Sequence, residues 1–426
     1  VLGDPVLSEA TIAACLATAE RWVGTFADVV RTAVPPRVAA IDLQQSADET
    51  ATGDEASAIE ADVRADPEVD TGSAIAAELT PYPGLVEALA SQVPLRAALV
   101  ALPGRDPLRL LAAAVTARSA TGGVLVVLPD AADVQRLSTI LARICVAPHA
   151  TLTAQMGRNA RWRAFREVRS GRCRIVLGTR GAAFAPVVGA ATFIIWDDGA
   201  QTHAEPHAPY WHVREVLAWR AQHEAAAFIC AGTAMTAEAA ALVQRGWLTV
   251  IGGAPATVRE CAPRIQAVAA SADGPDRLAG TTGTPQAVFT VVRSGLSHGP
   301  VLILAPRRGY IPVVNCADCR KPRRCAACGA GVNLTAEGLR CDACAAAVPP
   351  TCPDCGSKSW RAVSIGQERL LEQFGKAFPG VRLVSSNADR RVSQVGDVAV
   401  IVIATPGCEP IAATGYAAVV ALDVAT

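Results

Sequence analysis

The chain has 426 residues, 51% of them hydrophobic, which is enough to bury more than one core and predicts two or three domains. Its formal net charge of zero excludes a protein that binds any polyanion through overall charge. The first residues lack a basic-then-apolar signal sequence and no apolar run approaches the roughly 18 residues that span a bilayer, so we expect a cytoplasmic protein with no membrane partner.

An acidic stretch follows the first forty residues. Between Asp42 and Asp70 there are ten acidic residues and one basic residue, Arg64, in a context low in aromatic side chains. A segment with high charge and few large apolar side chains cannot bury a core of its own. The pattern predicts a disordered linker over residues 42–77.

From about residue 80 onward, short apolar runs alternate with helical periodicity. The predicted strands are 124–128, 175–177, 193–196, 228–230, 301–304 and 398–403, and the predicted helices are 106–118, 133–143 and 214–222. This alternation predicts an α/β protein with parallel sheets that carry helices on both faces. Residues from about 315 to 358 interrupt the pattern, because Gly, Pro and Cys replace the periodic apolar residues there.

Two clusters of basic side chains are candidate phosphate contacts. The segment 158–180 holds eight arginines and one acidic residue, Glu167. The second cluster is Arg307, Arg308, Arg320, Lys321, Arg323 and Arg324. The alternative for each is a solvated face whose counter-charges come from elsewhere in the fold.

Eight of the fourteen cysteines form four C-x2-C pairs within forty residues. They are Cys316/Cys319, Cys325/Cys328, Cys341/Cys344 and Cys352/Cys355, separated by gaps of five, twelve and seven residues. Tetrahedral Zn²⁺ takes two such pairs, so the spacing predicts two Zn²⁺ per chain in closed tetrathiolate sites. Free buried cysteines and a rubredoxin-like iron carrier are the alternatives. The other six cysteines are scattered, and we interpret them as structural.

The pairing of these cysteines has two solutions. Nested pairing is sterically reasonable, because the inner pairs close a twelve-residue loop typical of a zinc ribbon and the outer pairs then meet at its base. Sequential pairing would place one site around a five-residue gap and remains the alternative.

Several stretches of the sequence are distinctive together. R-R-G-Y-I-P-V-V-N-C-A-D-C at 307–319 is followed by the remaining cysteine pairs and by F-P-G-V-R-L at 378–383. I-V-L-G-T-R-G-A-A-F-A-P-V lies at 175–187, and R-W-V-G-T-F-A-D-V-V-R-T-A-V-P-P lies at 21–36. Together they resemble the PriA (primosomal protein N′) family of replication-restart helicases. The first resembles the zinc segment of the family and the stretch on its C-terminal side, the second a strand and loop of the first motor lobe, and the third the end of the DNA-binding domain. The resemblance covers almost the whole chain apart from the acidic stretch.

The resemblance implies two RecA-like parallel-sheet lobes with an inserted two-zinc tetrathiolate module, preceded by the end of a DNA-binding domain. The implied ranges are 1–41 for the end of the DNA-binding domain, 78–255 for the first lobe, 286–426 for a truncated second lobe and 315–360 for the module. It also implies nested cysteine pairs. Because the sequence starts at Val1 without a methionine, we expect a fragment of a longer protein.

The chain departs from the family where an active motor would bind nucleotide. A phosphate-binding loop needs G-x-x-x-x-G-K-[ST], and nothing in the chain matches it. After the apolar run 97–102 the sequence reads P-G-R-D-P, so Gly104 and Arg105 occupy a degenerate loop. A planar guanidinium does not replace a lysine ammonium, and Asp106 would place a carboxylate near phosphate oxygens.

The second nucleotide motif is altered too. I-I-W-D-D-G-A at 194–200 stands where the family carries its D-E-E-H motif, and Asp197 could still reach a metal ion. Asp198 is shorter than Glu and the third and fourth positions are lost, so hydrolysis is unsupported. T-P-G-C-E-P at 405–410 stands where the family has its second-lobe motif. We therefore predict that the chain is not an enzyme.

These observations predict a nucleoid-associated replication restart protein without helicase activity. It would bind forked or single-stranded DNA and scaffold primosome proteins and the replicative helicase loading machinery. The alternative is an active ATP-dependent 3′-5′ DNA helicase with an unorthodox nucleotide site. The predicted DNA contacts are Arg307, Arg320, Lys321, Arg323 and Arg324. Trp162, Tyr210, Trp211 and Trp219 could stack on bases, with buried packing as the alternative for each.

Overall fold

The computed structural model describes residues 6–42, 71–91, 93–145, 147–189, 191–267, 284–305, 314–319, 321–335, 338–341, 343–362 and 367–422. The chain divides into two compact units, Val1–Arg264 and Ile265–Thr426. Each unit is built around its own parallel sheet. The predicted α/β class with parallel sheets is therefore confirmed.

The first unit contains a seven-stranded parallel sheet in the order β3-β4-β2-β5-β6-β1-β7. Its strands are β1 (Arg96–Val100), β2 (Gly123–Val127), β3 (His149–Leu152), β4 (Ile175–Gly178), β5 (Ala191–Trp196), β6 (Ala227–Gly232) and β7 (Thr249–Gly252). Helices α5 (Pro107–Ser119), α6 (Ala131–Ile144), α7 (Arg158–Arg169), α8 (Val213–His223), α9 (Ala237–Gln244) and α10 (Pro255–Cys261) alternate with them.

Strand β2 shows why the sheet needs helices on both sides. All five of its residues are buried. Because successive side chains of a strand point to opposite faces, Leu125 and Val127 join one core cluster and Val124 and Val126 join the other. A run of apolar residues without polar alternation therefore marks a strand in the middle of a two-sided core.

The described residues 6–42 pack against the first sheet. Helices α1 (Glu9–Arg21) and α2 (Phe26–Ala33) start at side-chain caps supplied by Ser8 and Thr25. Their Cys15 and Val29 lie in the same buried cluster as Phe193 of β5. These helices thus share a core with the first sheet, and the assignment of residues 1–41 to the end of a DNA-binding domain stays a prediction.

The predicted linker over 42–77 is wrong at both of its ends. Asp42 is buried against the first unit, and residues 71–77 belong to helix α3 (Thr71–Leu79). Helix α4 (Leu85–Ala90) follows, and Leu79, Tyr82 and Leu85 pack into the second core cluster. Helix α3 lies just beyond the acidic stretch, where the sequence TGSAIAAEL contains one acidic residue and supplies apolar side chains to the core. Residues 43–70 lie outside the described residues.

The second unit has a four-stranded parallel sheet in the order β13-β15-β8-β17. Its strands are β8 (Val301–Leu304), β13 (Arg382–Ser386), β15 (Val400–Ala404) and β17 (Ala418–Ala421), and a short parallel pair joins β14 (Gln394–Val395) to β16 (Ile411–Ala412). Helices α11 (Gln286–Leu296) and α12 (Gln367–Ala377) cover one face, where Val292, Phe374 and Ile401 are buried together.

The cysteine-rich module is inserted between β8 and α12. Strands β9 (Val314–Cys316) and β12 (Trp360–Ala362) pair antiparallel, which brings the two ends of the insertion together. Strands β10 (Val332–Thr335) and β11 (Gly338–Cys341) form an antiparallel hairpin inside it. Val314, Val332, Leu339 and Val348 form its small core. This core is small for an independent fold, so a metal is the expected source of further stability.

The predicted strands and helices all coincide with observed elements, with bounds that differ by a few residues. Within the described part of the chain, no helix combines the length and apolar character needed to cross a membrane.

Candidate functional site

Each C-x2-C pair forms a tight turn that aims two thiols in one direction. In three of the pairs the residue after the second cysteine has a left-handed backbone: Gly329 (φ 73°), Ala345 (φ 57°) and Gly356 (φ 74°). That residue's N–H donates to the carbonyl oxygen of the first cysteine in each case, at 2.9, 3.1 and 3.0 Å. Glycine adopts this conformation at little cost, whereas Ala345 is strained in it.

The turns bring the eight thiols together in two groups of four. Cys325, Cys328, Cys341 and Cys344 form the inner group, and Cys316, Cys319, Cys352 and Cys355 form the outer group. Within each group all four Sγ atoms lie within 4.8 Å of one another. These are the groups expected from nested pairing, and sequential pairing would have joined Cys316 and Cys319 to Cys325 and Cys328.

The distances between sulfur atoms distinguish a metal site from a disulfide. Neighbouring Sγ atoms are 3.4 and 3.7 Å apart in the outer group and 3.4 to 3.7 Å apart in the inner group. A disulfide requires about 2.05 Å. Four thiolates around a tetrahedral Zn²⁺ with bonds of about 2.3 Å lie about 3.8 Å from one another. The donor set and its spacing therefore fit a tetrahedral, thiolate-bound metal ion in each group.

The basic side chains beside the module are only partly available to phosphate. The Lys321 ammonium lies 2.5 Å from an oxygen of Asp354, and the guanidinium of Arg323 lies 5.9 Å from the ring centre of Trp360. Arg324 is exposed, and its guanidinium donates to the Gly329 carbonyl at 3.4 Å. Arg307, Arg308 and Arg320 lie outside the described residues. Counter-charges inside the module thus neutralise part of this cluster.

Much of the arginine-rich segment 158–180 is held by internal partners. Asp42 accepts hydrogen bonds from Arg37, Trp162 and Arg166 at 2.6, 2.9 and 2.9 Å. The guanidinium of Arg158 donates to the Arg37 carbonyl. Arg180 pairs with the buried carboxylate of Glu205 at 3.0 Å. The alternative of counter-charges supplied elsewhere in the fold applies to these arginines.

The four aromatic side chains proposed for base stacking differ in exposure. Trp162 and Trp211 are fully buried, with 1% and 0% of their surface exposed. Trp219 is partly buried and stacks on His223 at 3.9 Å between ring centres. Tyr210 is 64% exposed. Of the four, Tyr210 is the one whose ring faces solvent.

Where a nucleotide-binding motif would lie, the chain has a short loop whose one carboxylate, that of Asp106, binds groups of the first unit. It joins β1 to α5, and Gly104 turns it with a φ of 74°. Asp106 caps α5, because its Oδ1 accepts a hydrogen bond from the Leu108 N–H at 3.0 Å. Its second oxygen lies 3.5 Å from the Arg136 guanidinium. Arg105 is exposed. A carboxylate therefore occupies the helix end that would otherwise attract a phosphate.

The two aspartates at the end of β5 have different environments. Asp197 is exposed and has a φ of 52°. Asp198 is 3% exposed and accepts hydrogen bonds from Arg214 of α8 at 2.8 Å and from Thr236, the cap of α9, at 2.7 Å. Burial, with Asp198 nearby, raises the pKa of the Cys230 thiol in this cluster. Asp198 thus joins β5, α8 and α9.

Sequence reasoning did not find the roles of Asp42 or of Asp198. The partners of Asp42 on α7 lie 120 and 124 residues away, and Thr236 lies 38 residues from Asp198. No local pattern marks such pairs. The one available signal was that Asp198 closely follows a fully apolar strand, which places it at the edge of a core.

Several curated proteins resemble the chain over nearly its whole length. The probable replication restart proteins PriA of Mycobacterium tuberculosis H37Rv and Mycobacterium leprae are 36% and 34% identical over 432 and 447 residues, or 99% of this chain. The chain spans 63% and 65% of those two relatives. The replication restart protein PriA of Bacillus subtilis is 25% identical over 235 residues, covering 53% of this chain and 28% of the relative.

Comparison with solved structures gives weaker similarities. The match to the structure of RecG bound to a three-way DNA junction covers 70% of this chain and 35% of the RecG chain, with a TM-score of 0.33 and 12% identity. The match to the Escherichia coli DExH-box NTPase HrpB covers 78% of this chain and 33% of the HrpB chain, with a TM-score of 0.38 and 13% identity. No protein-family model matches the chain. The mycobacterial relatives match it almost from end to end, so the chain is similar over nearly its whole length to the PriA replication restart proteins.

Proposed function

We propose that this protein acts in replication restart without hydrolysing ATP. It binds forked or single-stranded DNA and scaffolds primosome proteins and the machinery that loads the replicative helicase. Residues 78–255 and 286–426 then correspond to two motor lobes that have lost their chemistry. The observation that carries the proposal is Asp106, whose carboxylate occupies the N-terminus of α5 where nucleotide phosphates would have to sit.

Asp198 supports the same conclusion. A carboxylate that positions a metal ion or water for hydrolysis must face the substrate, whereas Asp198 is buried and directed at Arg214 and Thr236. Arg105 offers a guanidinium in place of the compact lysine charge. Asp197 remains exposed, so the alternative of an unorthodox active helicase depends on that residue.

An ATPase assay separates the two functions. With forked DNA present, we expect no single-turnover hydrolysis above a blank without protein, and no saturable binding of a fluorescent ATP analogue. A DNA-stimulated rate that Asp197→Ala abolishes would instead establish the helicase. Asp130→Ala, which removes another exposed helix cap of the first unit, is the matched control and should leave any true rate unchanged.

We infer that each cysteine group holds Zn²⁺, two ions per chain. Support comes from the donor set of four thiols, from their near-tetrahedral spacing and from the small core of the module. Elemental analysis of the purified chain should find two zinc ions. One ion or none would contradict the inference, and a red protein with bound iron would support the electron-carrier alternative.

We propose that the basic residues beside the module contact DNA. The test is the combined change of Arg320, Lys321, Arg323 and Arg324 to Ser. Loss of these contacts should weaken binding to a forked substrate and lower the salt dependence of log K for single strands by up to roughly 3, at about 0.7 per phosphate contact. The matched control changes four exposed arginines elsewhere, Arg143, Arg245, Arg259 and Arg264, to Ser, which removes the same total charge.

The control decides whether local contacts or overall charge matter. If both quadruple variants weaken binding equally, the basic residues of the module act only through the overall electrostatic attraction of the protein for DNA. If a fork is not bound at low salt even when the complete N-terminal DNA-binding domain is present, the DNA-scaffold proposal is wrong and the module becomes a candidate protein-docking site.

A further inference from the structure

The second unit presents an open sheet edge. Strand β13 pairs with β15 on one side, and on its other side none of the described residues forms a strand with it. Four of its five residues are at least partly exposed. An edge strand of this kind offers a row of backbone N–H and C=O groups to an added strand.

A cavity of about 450 Å³ lies along this edge. Its apolar walls belong to both faces of the sheet. Leu371 of α12 and Leu383 adjoin the core cluster on one face, and Val384 and Val395 adjoin the cluster on the other. The cavity therefore follows the edge itself, where side chains at alternate positions of an added strand would reach opposite walls.

The charge of this cavity indicates the kind of partner. Arg382 and Arg390 line it, and neither forms an ion pair with any described carboxylate. By contrast, Arg166, Arg180 and Arg214 of the first unit are each paired with an aspartate or a glutamate. Unpaired guanidinium groups beside an apolar groove are suited to carboxylates on an incoming chain.

We propose that β13 binds an extended acidic peptide of a partner protein by strand addition. Main-chain hydrogen bonds to β13 supply affinity, and aliphatic side chains at alternate positions fill the two walls. Carboxylates of the peptide pair with Arg382 and Arg390. This site is independent of the nucleotide loop and of the DNA contacts proposed above.

The test uses the full chain and a fluorescein-labelled peptide of alternating valine and glutamate, followed by fluorescence anisotropy. We expect saturable binding that weakens about tenfold or more in Arg382→Gln/Arg390→Gln, because two charge-assisted contacts are lost. A single-charge control is Arg391→Gln, since Arg391 is exposed beside Arg390 but does not line the cavity. This control should bind as the unaltered chain does.

Two further measurements establish the mode of binding. A peptide N-methylated at every second residue keeps its charge but cannot donate main-chain hydrogen bonds from those residues, so it should not bind. Hydrogen exchange of the 382–386 amides should slow when the unmodified peptide is added. The proposal is overturned if no peptide binds at millimolar concentration. It is also overturned if the N-methylated peptide, or a peptide with lysine in place of glutamate, binds equally, or if single-stranded DNA, and not peptide, protects β13.

Discussion

The cysteine module and the nucleotide-site region of the first unit differ in the partners of their polar side chains. In the module, eight thiols converge on two common centres and have one another as neighbours. In the first unit, Asp106 is bound to its own helix end and to Arg136, and Asp198 to Arg214 and Thr236. The thiols of the module are positioned to bind a ligand from outside the chain, whereas the aspartates of the first unit already bind groups within the chain.

This contrast separates a site whose side chains still lack a common ligand from one whose side chains already have partners within the chain. Four thiols held within 4.8 Å gain far more from a metal ion than from one another. A carboxylate that already caps a helix gains nothing from a phosphate and repels it. The difference predicts that removing the metal will unfold the module. Substitutions of Asp106 and Asp198 in the first unit should instead change its stability without creating ATP binding or hydrolysis.

The largest expected effect is on the module. Chelation of its metal should remove folding free energy on the order of 10 kcal/mol and unfold residues 314–362, because its apolar core is small. Limited proteolysis of the chelated protein should cut within that range and spare the first unit. Cys341→Ser should lower the metal content from two ions to one, whereas Cys408→Ser, which lies outside both groups, should leave it at two.

The next effect concerns Asp198. In Asp198→Ala the guanidinium of Arg214, whose side chain is 8% exposed, keeps only the more distant Glu215 carboxylate, 3.6 Å from its Nε. We expect the free energy of unfolding to fall by about 3 kcal/mol, the low end of the range for a broken buried ion pair. Urea denaturation of the first unit measures it. The adjacent Asp197→Asn is the control, because this residue is exposed and asparagine tolerates its left-handed backbone. It should change stability by less than about 0.5 kcal/mol. Equal effects would remove the distinction between the two aspartates.

The parts of the structure that the sequence predicted are those that local patterns determine. Strands β2 and β5 are buried throughout, so their apolar runs were unambiguous. The C-x2-C turns are local as well, and nested grouping follows once β10 and β11 form a hairpin. The half-exposed edge strand β13 begins with an arginine and was missed. Asp42 was assigned to a linker because no sequence pattern indicates partners more than 100 residues away.

Asp42 provides a prediction that depends on pH. Burial acts to raise the pKa of its carboxyl, but hydrogen bonds from Arg37, Trp162 and Arg166 prevail and hold the pKa below its ordinary value. A lowered pKa in the folded state contributes stability above the ordinary value near 4, and this contribution is lost as pH falls through the lowered pKa. Asp42→Asn should therefore lower the free energy of unfolding at pH 7, because the two guanidinium groups lose their charged partner.

The pH profile distinguishes this role from simple packing. The stability difference between Asp42→Asn and the unaltered chain should shrink as pH falls below about 4, because the aspartate itself becomes neutral. Denaturant titrations at pH 7, 5 and 3 measure it. Asp28→Asn, at the exposed cap of α2, is the comparison and should show a smaller difference at pH 7. A difference for Asp42→Asn that does not vary with pH would contradict the charged role.

The smallest effect tests the nucleotide loop directly. Asp106→Ala removes the side-chain cap of α5 and the contact with Arg136. It should lower the free energy of unfolding by about 1 kcal/mol, the usual value for an exposed N-cap.

The same change also removes the negative charge from the helix end. If internal satisfaction by Asp106 were the sole obstacle to phosphate, Asp106→Ala would bind inorganic phosphate or ATP measurably by calorimetry. We expect no binding, because the first unit has no lysine to neutralise the phosphates and its loop lacks the G-x-x-x-x-G-K-[ST] pattern. Binding by this variant would show that a single carboxylate separates the chain from a nucleotide-binding protein.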